Sequence, residues 1–288
     1  MKTNDILIEI NEKLNYIKNK IDNLTKDYDA TFDLCRLLLE DPNFPDAVDQ
    51  TLICDPSNEE EKIERATSLI EVYVDELIEG KSFLDFGCGD GHVASVALNK
   101  NPKISIGYDI DKNVFNKDIT QKNPSLLTTN WDEVSKNKYD VILFYDVLDH
   151  VKNESSSSVL EKLKSVLAPE GKIYARMHPF VSRHSTHYYH TANKAFLHLI
   201  FTDEELEQIY GKKPDCPTNK VFYPVRTYTE LFKKANLNIV SKNIIENEVE
   251  DFFKNNKVIS DKITKRFNAN ELPVLQMSMS FIDYVLKH

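Results

Sequence analysis

Apolar residues near the start of the chain recur at Leu7, Ile10, Leu14, Ile17, Ile21, Leu24 and Tyr28. Steps of three and four keep them on one stripe of a helix, a coiled-coil-like seam of about three heptads. The pattern predicts an N-terminal helical region over residues 1–57. Its stripe packs either on its own chain or against a second copy as a homodimer. The helical pattern runs on through ATFDLCRLLLED and is broken by Pro42, Pro45 and Pro56. SNEEEKIERATSLIEVYVDELIEG then predicts a further helix, with Ser57 or Asn58 as cap, acids in its first turn and Gly80 as its end.

From Lys81 onward short β-type runs alternate with helical stretches. The runs are SFLDF (82–86), KISIGYD (103–109), SLLTT (125–129), YDVILFYD (139–146) and GKIYARM (171–177). Alternation of this kind predicts a parallel sheet covered on both faces, with ligands outside the carboxyl ends of the strands. ESSSSVLEKLKSVLAPEG reads as a helix that ends at Pro169 and Gly171. Regularity lapses at about 178–226, which reads as an insertion. A helix (TYTELFKKANL), a strand (NIVSKNII), a helix (EVEDFFKNNKVISDKITKRF) and a final strand (LPVLQMSMSFIDYVL) follow. The second domain is therefore expected over 58–288.

Composition narrows the class. The 288 residues are 41% hydrophobic and 28% charged, with a net charge of −10. No run approaches the roughly 18 apolar residues of a membrane span, and MKTNDILIEINEKLNYIKNK carries no signal-type apolar block. Cys35, Cys54, Cys88 and Cys216 are scattered, which suits a reducing cytoplasm better than a disulfide framework. The acidic balance argues against long nucleic acids as partners.

Three of only 7 glycines, Gly87, Gly89 and Gly91, stand within five positions directly after the first strand. Such spacing suits a ligand loop, since glycine admits positive φ and close approach of a ligand to the backbone. One reading is the nicotinamide fingerprint G-x-G-x-x-G/A on Gly89, Gly91 and Ala94. The other is D-x-G-x-G-x-G, starting at Asp85. An acid at the loop entrance does not suit a pyrophosphate on a helix N-terminus. It does suit the ammonium group of an amino-acid-like ligand.

LDFGCGDG after the first strand, GYDID after the second, FYDVLDHV after the fourth and LAPEGKIYARM at the fifth occur in that order. With these motifs the chain resembles the class I S-adenosylmethionine-dependent methyltransferases over roughly residues 60–180 and the helix–strand–helix–strand close after 225. The resemblance implies an α/β Rossmann-like fold with a seven-stranded, mostly parallel sheet and helices on both faces, preceded by the N-terminal helical extension. It implies S-adenosyl-L-methionine as cofactor. Asp85, Gly87, Cys88, Gly89 and Gly91 would cradle the methionine part, and Asp109 with Ile110 would meet the ribose. Asn130 and Trp131 would stand near adenine, with Tyr145 beneath the cofactor. Many family members have an acid where Asn130 stands, and Trp131 equally suits packing.

Methyl transfer needs alignment and, for a hydroxyl or amine acceptor, a base. Asp146, His150 and His178 follow the fourth and fifth strands and are the candidates, with imidazole titrating near neutrality. Five of the 8 histidines, His178, His184, His187, His190 and His198, lie within 21 positions. Together with Arg183 and Tyr188 they suggest an acceptor pocket for a small molecule or glycan, with His184 and His187 in its wall. A polar loop without chemistry is a second reading. A third is a metal site, Asp146-x-x-Asp149-His150 plus a later histidine. That spacing resembles the E-x-x-E-H…H pattern of metal-dependent RNA-end 2′-O-methyltransferases, with the shorter Asp for Glu. A nicotinamide oxidoreductase and a non-catalytic scaffold remain as alternatives.

Overall fold

The computed structural model describes residues 13–16, 31–49, 55, 57–74, 76–151, 153–185, 187–214, 225–267, 269 and 277–288. The chain divides into two compact units. One comprises residues 1–46 and 250–272, and the other 47–249 and 273–288. The segment 250–272 thus groups with the N-terminal residues, and 47–57 with the core unit. In the smaller unit, residues 31–38 are helical. The expected helix after residue 248 is two helices, Glu250–Asn255 and Lys257–Arg266. Of the N-terminal seam only Leu14, in a helical turn at 13–16 and 57% exposed, is described. Leu7, Ile10, Ile17, Ile21, Leu24 and Tyr28 lie outside the described residues, as do Cys54, Pro56 and Cys216.

In the larger unit the helices are α1 (Glu59–Ser68), α2 (His92–Leu98), α3 (Lys117–Lys122), α4 (Trp131–Val134), α5 (Asn153–Val166), α6 (Leu197–Ile200), α7 (Asp203–Tyr210) and α8 (Val225–Lys234). The strands are β1 (Ser82–Phe86), β2 (Ile104–Tyr108), β3 (Leu127–Thr128), β4 (Tyr139–Tyr145), β5 (Leu167–Met177), β6 (Asn238–Glu246) and β7 (Met279–Lys287). They form one sheet in the order β3-β2-β1-β4-β5-β7-β6. The first five pair in parallel, and β7 runs antiparallel to both β5 and β6. The order reverses between β1 and β4, so the carboxyl ends of these two strands open the crevice where such sheets bind ligands.

β1 is buried along its whole length because alternate residues feed two cores. Leu84 and Phe86 join Ile142, Phe144 and Ile173 beneath Leu160 and Leu163 of α5 and Tyr228 and Phe232 of α8. Phe83 joins Val141, Leu143 and Tyr174 beneath Ala66, Ile70 and the α2 residues Val96 and Ala97.

Two elements differ from the sequence expectation. β5 starts at Leu167, ahead of Pro169 and Gly171. A bulge between Tyr139 and Val141 lets Leu167 pair with Tyr139 while the next paired residue is Lys172, so the APEG turn is absorbed into the strand. The helix capped by Asn58 does not reach Gly80. It passes into a π-turn at Leu69–Tyr73 and ends there.

Candidate functional site

The loop after β1 answers the glycine question. Gly87, Gly89 and Gly91 all have positive φ, which L side chains rarely adopt. A Cβ on Gly87 would stand 2.4 Å from Val147 Cγ2, and one on Gly91 would stand 2.5 Å from Leu127 Cδ1. The Gly87 and Cys88 N–H groups donate to the Tyr108 carbonyl at the end of β2. The Gly89 N–H donates to Asp109 Oδ2 at 3.0 Å, and the Asp111 N–H donates to Oδ1 at 3.1 Å. Asp109 therefore closes the loop, with each oxygen keeping a further lone pair. Cys88 is buried, which pushes its thiol up, out of the nucleophilic range.

Above the loop lies a cavity of about 370 Å³, walled by Asp85, Gly87, Gly89, Tyr145 and Asp146 from the strand ends and by Lys62, Arg65 and Leu69 from α1 and its π-turn. Asp85 is 4% exposed, and its Oδ2 has no hydrogen-bond partner among the described residues. Burial, then the charges of Asp109 and Asp90, pushes its carboxyl up to about 7. Arg65 lines the same cavity, is exposed, and makes no ion pair among the described residues. Its guanidinium stands 5.9 Å from the Tyr145 ring. The cavity thus offers an unsatisfied carboxylate and an uncommitted cation.

The remaining residues expected near the cofactor sit differently. Ile110 is 87% exposed beside Asp109. The Asn130 side chain accepts from the Asp132 N–H and caps α4, which leaves its amide NH₂ to donate. Trp131 is half-buried and packs edge-on against Tyr108 and Phe86, with centroids 5.4 and 6.0 Å apart, and Lys162 lies over its ring.

At the ends of β4 and β5 a second group forms around Asp146. Asp146 holds φ at 58°, an uncommon conformation for a residue with a side chain. Its Oδ1 lies 2.9 Å from His178 Nε2, with His178 buried and Asp146 half-buried. Burial opposes its charge, but the His178 imidazole prevails and brings its carboxyl down to about 2. For His178 burial likewise opposes the charge, and Asp146 raises the imidazole above its ordinary value. His187, also at positive φ, stacks on His178 at 5.3 Å, and His184 meets it edge-on at 5.1 Å. Burial and His178 hold His187 at about 3 and His184 well below the usual range, so both rings are neutral. Phe281 closes the group, 4.7 Å from His178 and 4.6 Å from His184.

Four residues of the acceptor-pocket and metal readings are committed or peripheral. Tyr188 is turned away, its hydroxyl donating to the Lys212 carbonyl and its ring against Tyr210. His150 is exposed, and its ring lies 5.3 Å from that of His187. Asp149 accepts from the His178 N–H and from the Tyr228 hydroxyl, so it braces β5 against α8 instead of facing a ligand. His198 is likewise a tie, with Nε2 2.8 Å from both Ser185 Oγ and the Phe180 carbonyl. Arg183 lies near enough to His184 for its charge to help hold that ring neutral. Among the described residues no group of three or more His, Cys, Asp or Glu is disposed to hold a metal ion.

The family model of the methyltransferase domain matches residues 58–242, which span the glycine loop, the crevice and the histidine-rich segment. The chain belongs to the methyltransferase domain family. Solved structures with a similar fold include magnesium protoporphyrin IX methyltransferase from Synechocystis PCC 6803. That one is 13% identical with a TM-score of 0.42, and the likeness covers 78% of this chain and 79% of that one. A SAM-dependent methyltransferase from Archaeoglobus fulgidus is 15% identical, TM-score 0.45, with 79% and 94% covered. The 1,6-didemethyltoxoflavin-N1-methyltransferase of Burkholderia thailandensis is 11% identical, TM-score 0.43, with 93% and 88% covered. These likenesses are too distant to carry an argument about substrate. A sequence search among curated proteins finds no match.

A methyltransferase needs a methyl donor, and the cavity of this methyltransferase fits S-adenosylmethionine. Asp85, whose Oδ2 lacks a partner among the described residues, suits the donor's ammonium, Arg65 suits its carboxylate, and the side-chain-free loop lines the same cavity. A pyrophosphate would meet Asp85 and Asp90 instead, which removes the nicotinamide reading. Arg65, Lys62 and Leu69 escaped the sequence reading, because helical spacing tells which residues are buried and not which polar side chain overhangs a cavity. Among the described residues no helix is long and apolar enough to cross a membrane.

Proposed function

We propose that this methyltransferase transfers the methyl group of S-adenosylmethionine to a hydroxyl or amine of a small molecule or glycan, with His178 as general base and Asp146 as its orienting partner. When bound, the cofactor supplies an electrophilic methyl carbon on a sulfonium. Asp85 and the glycine loop hold its methionine end, Asp109 its ribose, and the Asn130 amide with Trp131 the adenine edge.

The observation that carries the assignment is the Asp146–His178 pair, because Asp146 lines the cofactor cavity and His178 abuts it at 2.9 Å. Nε2 lies 2.9 Å from Asp146 Oδ1 but off hydrogen-bond alignment, and neither ring nitrogen has a hydrogen-bond partner among the described residues. With the Nε2 side given to Asp146, Nδ1 is the proton-accepting atom. The acceptor's O–H or N–H proton goes to Nδ1, and Asp146 stabilises the imidazolium that results. His184, held neutral, offers one donor and one acceptor to a polar acceptor, and His187, whose Nδ1 lies 3.4 Å from the Tyr189 hydroxyl, offers Nε2, with Arg183 beside them. His150 stands at the solvent edge of the same group. Tyr188, tied to Lys212, is left out of the pocket.

The test follows release of S-adenosylhomocysteine over a panel of small phenols, alcohols, amines and glycans as acceptors. With the best acceptor, His178→Ala is expected to lower kcat by about 10²- to 10⁴-fold. The wild-type rate is expected to rise with pH as His178 loses its proton, with a midpoint above the ordinary imidazole value because Asp146 raises it. Asp146→Asn removes that charge and moves the midpoint to lower pH. Unchanged turnover in His178→Ala, or an unchanged pH midpoint in Asp146→Asn, would contradict the base assignment.

A further inference from the structure

Helix α1 does more than cover the sheet. Its first residue, Glu59, is fastened to the glycine loop through His92, the first residue of α2. His92 is 5% exposed, and its ring lies between two carboxylates. Nε2 stands 2.6 Å from Glu59 Oε1; Nδ1 stands 2.7 Å from Asp90 Oδ1 off hydrogen-bond alignment, and the His92 backbone N–H donates to that oxygen at 3.3 Å. The Asn116 amide donates to the same Glu59 oxygen at 3.3 Å, and Lys62 Nζ lies 3.5 Å from Asp90 Oδ2. Two turns further along, Arg65 borders the cavity that Asp85 also lines.

We propose that α1 clamps the amino-acid end of the cofactor: Arg65 pairs with its carboxylate, and His92, held between Glu59 and Asp90, fixes the helix that carries Arg65. This rests on the reading that S-adenosylmethionine fills the cavity. Asp85 alone would select any ammonium. The pair Asp85 and Arg65, both lining this cavity, selects a zwitterion, and the guanidinium fork suits a carboxylate. His92 is then a positioning residue. It touches no reacting group, and it governs affinity through the helix it anchors.

Two ligands separate these roles. S-adenosylhomocysteine carries the zwitterion, and 5′-methylthioadenosine has the same nucleoside and thioether without it. By calorimetric titration of the full chain, Arg65→Met is expected to weaken S-adenosylhomocysteine by about 10- to 100-fold, the worth of a charged hydrogen bond. Binding of 5′-methylthioadenosine is expected to be unchanged, and Arg65→Lys to keep part of the affinity. Glu59→Gln alters a side chain that is 53% exposed and leaves folding intact. Both Glu59→Gln and His92→Ala are expected to weaken S-adenosylhomocysteine several-fold, and to add nothing in the Arg65→Met background. Equal weakening of both ligands by Arg65→Met, no weakening of either, or losses that add between Arg65 and the latch residues would overturn the proposal. A wild-type chain that bound neither ligand would instead remove the cofactor reading beneath it.

Discussion

At the scale of single residues, Asp85 carries the proposed chemistry of the cofactor end. A carboxyl pushed to about 7 by burial is protonated in the folded chain over a range where it is ionised in the unfolded one. Asp149, raised to about 7 by burial, behaves alike. Both contributions are fully present below the ordinary carboxylate range and are lost as pH rises to about 7. The ligand-free protein is therefore expected to lose stability over that window, measurable as a falling urea midpoint. A cofactor ammonium reverses the balance at Asp85 by favouring the charged form. Affinity for S-adenosylhomocysteine is expected to grow by about tenfold per unit of induced pKa shift between about pH 5 and pH 8. In Asp85→Asn that pH dependence should disappear. A flat affinity profile in the wild type would mean that Asp85 does not meet the ammonium. The positive φ of the glycines and the placing of Asp85 and Asp109 at strand ends were legible in the sequence, because residue type follows backbone conformation and the strand pattern. Tyr188 was misplaced, because its direction is set by a local 3-10 turn at Tyr188–His190 that brings its hydroxyl to Lys212. Asp149 was misplaced because its partner Tyr228 comes from a helix 79 positions away.

At the scale of elements, the loop–helix junction after β1 is the most constrained piece. Gly91→Ala forces a positive φ on an L side chain and drives its Cβ into Leu127. It is expected to cost about 1–3 kcal/mol in urea unfolding and to abolish measurable S-adenosylhomocysteine binding. Gly211→Ala makes a matched control. Its φ is +73° and its Cβ would meet nothing within 4 Å, so only the conformational cost of about 1 kcal/mol applies and ligand binding stays intact. Equal effects of the two variants would remove the special role of the loop. β1 matched its sequence pattern residue for residue, because an apolar run followed by a glycine loop has only one boundary. β5 and α1 did not. Pro169 and Gly171 signal a helix end locally, yet pairing across the bulge with β4 keeps them in a strand. The apolar residues of SLIEVYVDEL continue a helical spacing, yet the π-turn at Leu69–Tyr73 brings Tyr73 edge-on to Tyr145, 5.1 Å away, and ends the helix.

At the scale of the whole molecule, the sheet order β3-β2-β1-β4-β5-β7-β6 puts the cofactor cavity and the Asp146–His178 pair at neighbouring strand ends. In the proposed reaction the same sheet positions donor and base. The alternation of strands and helices made this architecture legible. The grouping of residues 250–272 with the N-terminal unit was not, because tertiary contacts between distant segments leave no periodic trace in either. The most direct measurement is the unfolding free energy of the full chain at pH 8, with S-adenosylhomocysteine, with NADH and with neither, for the wild type and Asp85→Asn. At about 100 times its dissociation constant, S-adenosylhomocysteine is expected to stabilise the wild type by about 2.7 kcal/mol. NADH is expected to add nothing, and Asp85→Asn to lose most of the gain at the same ligand concentration. Stabilisation by NADH, or an Asp85→Asn chain stabilised as much as the wild type, would contradict the assignment of the cavity.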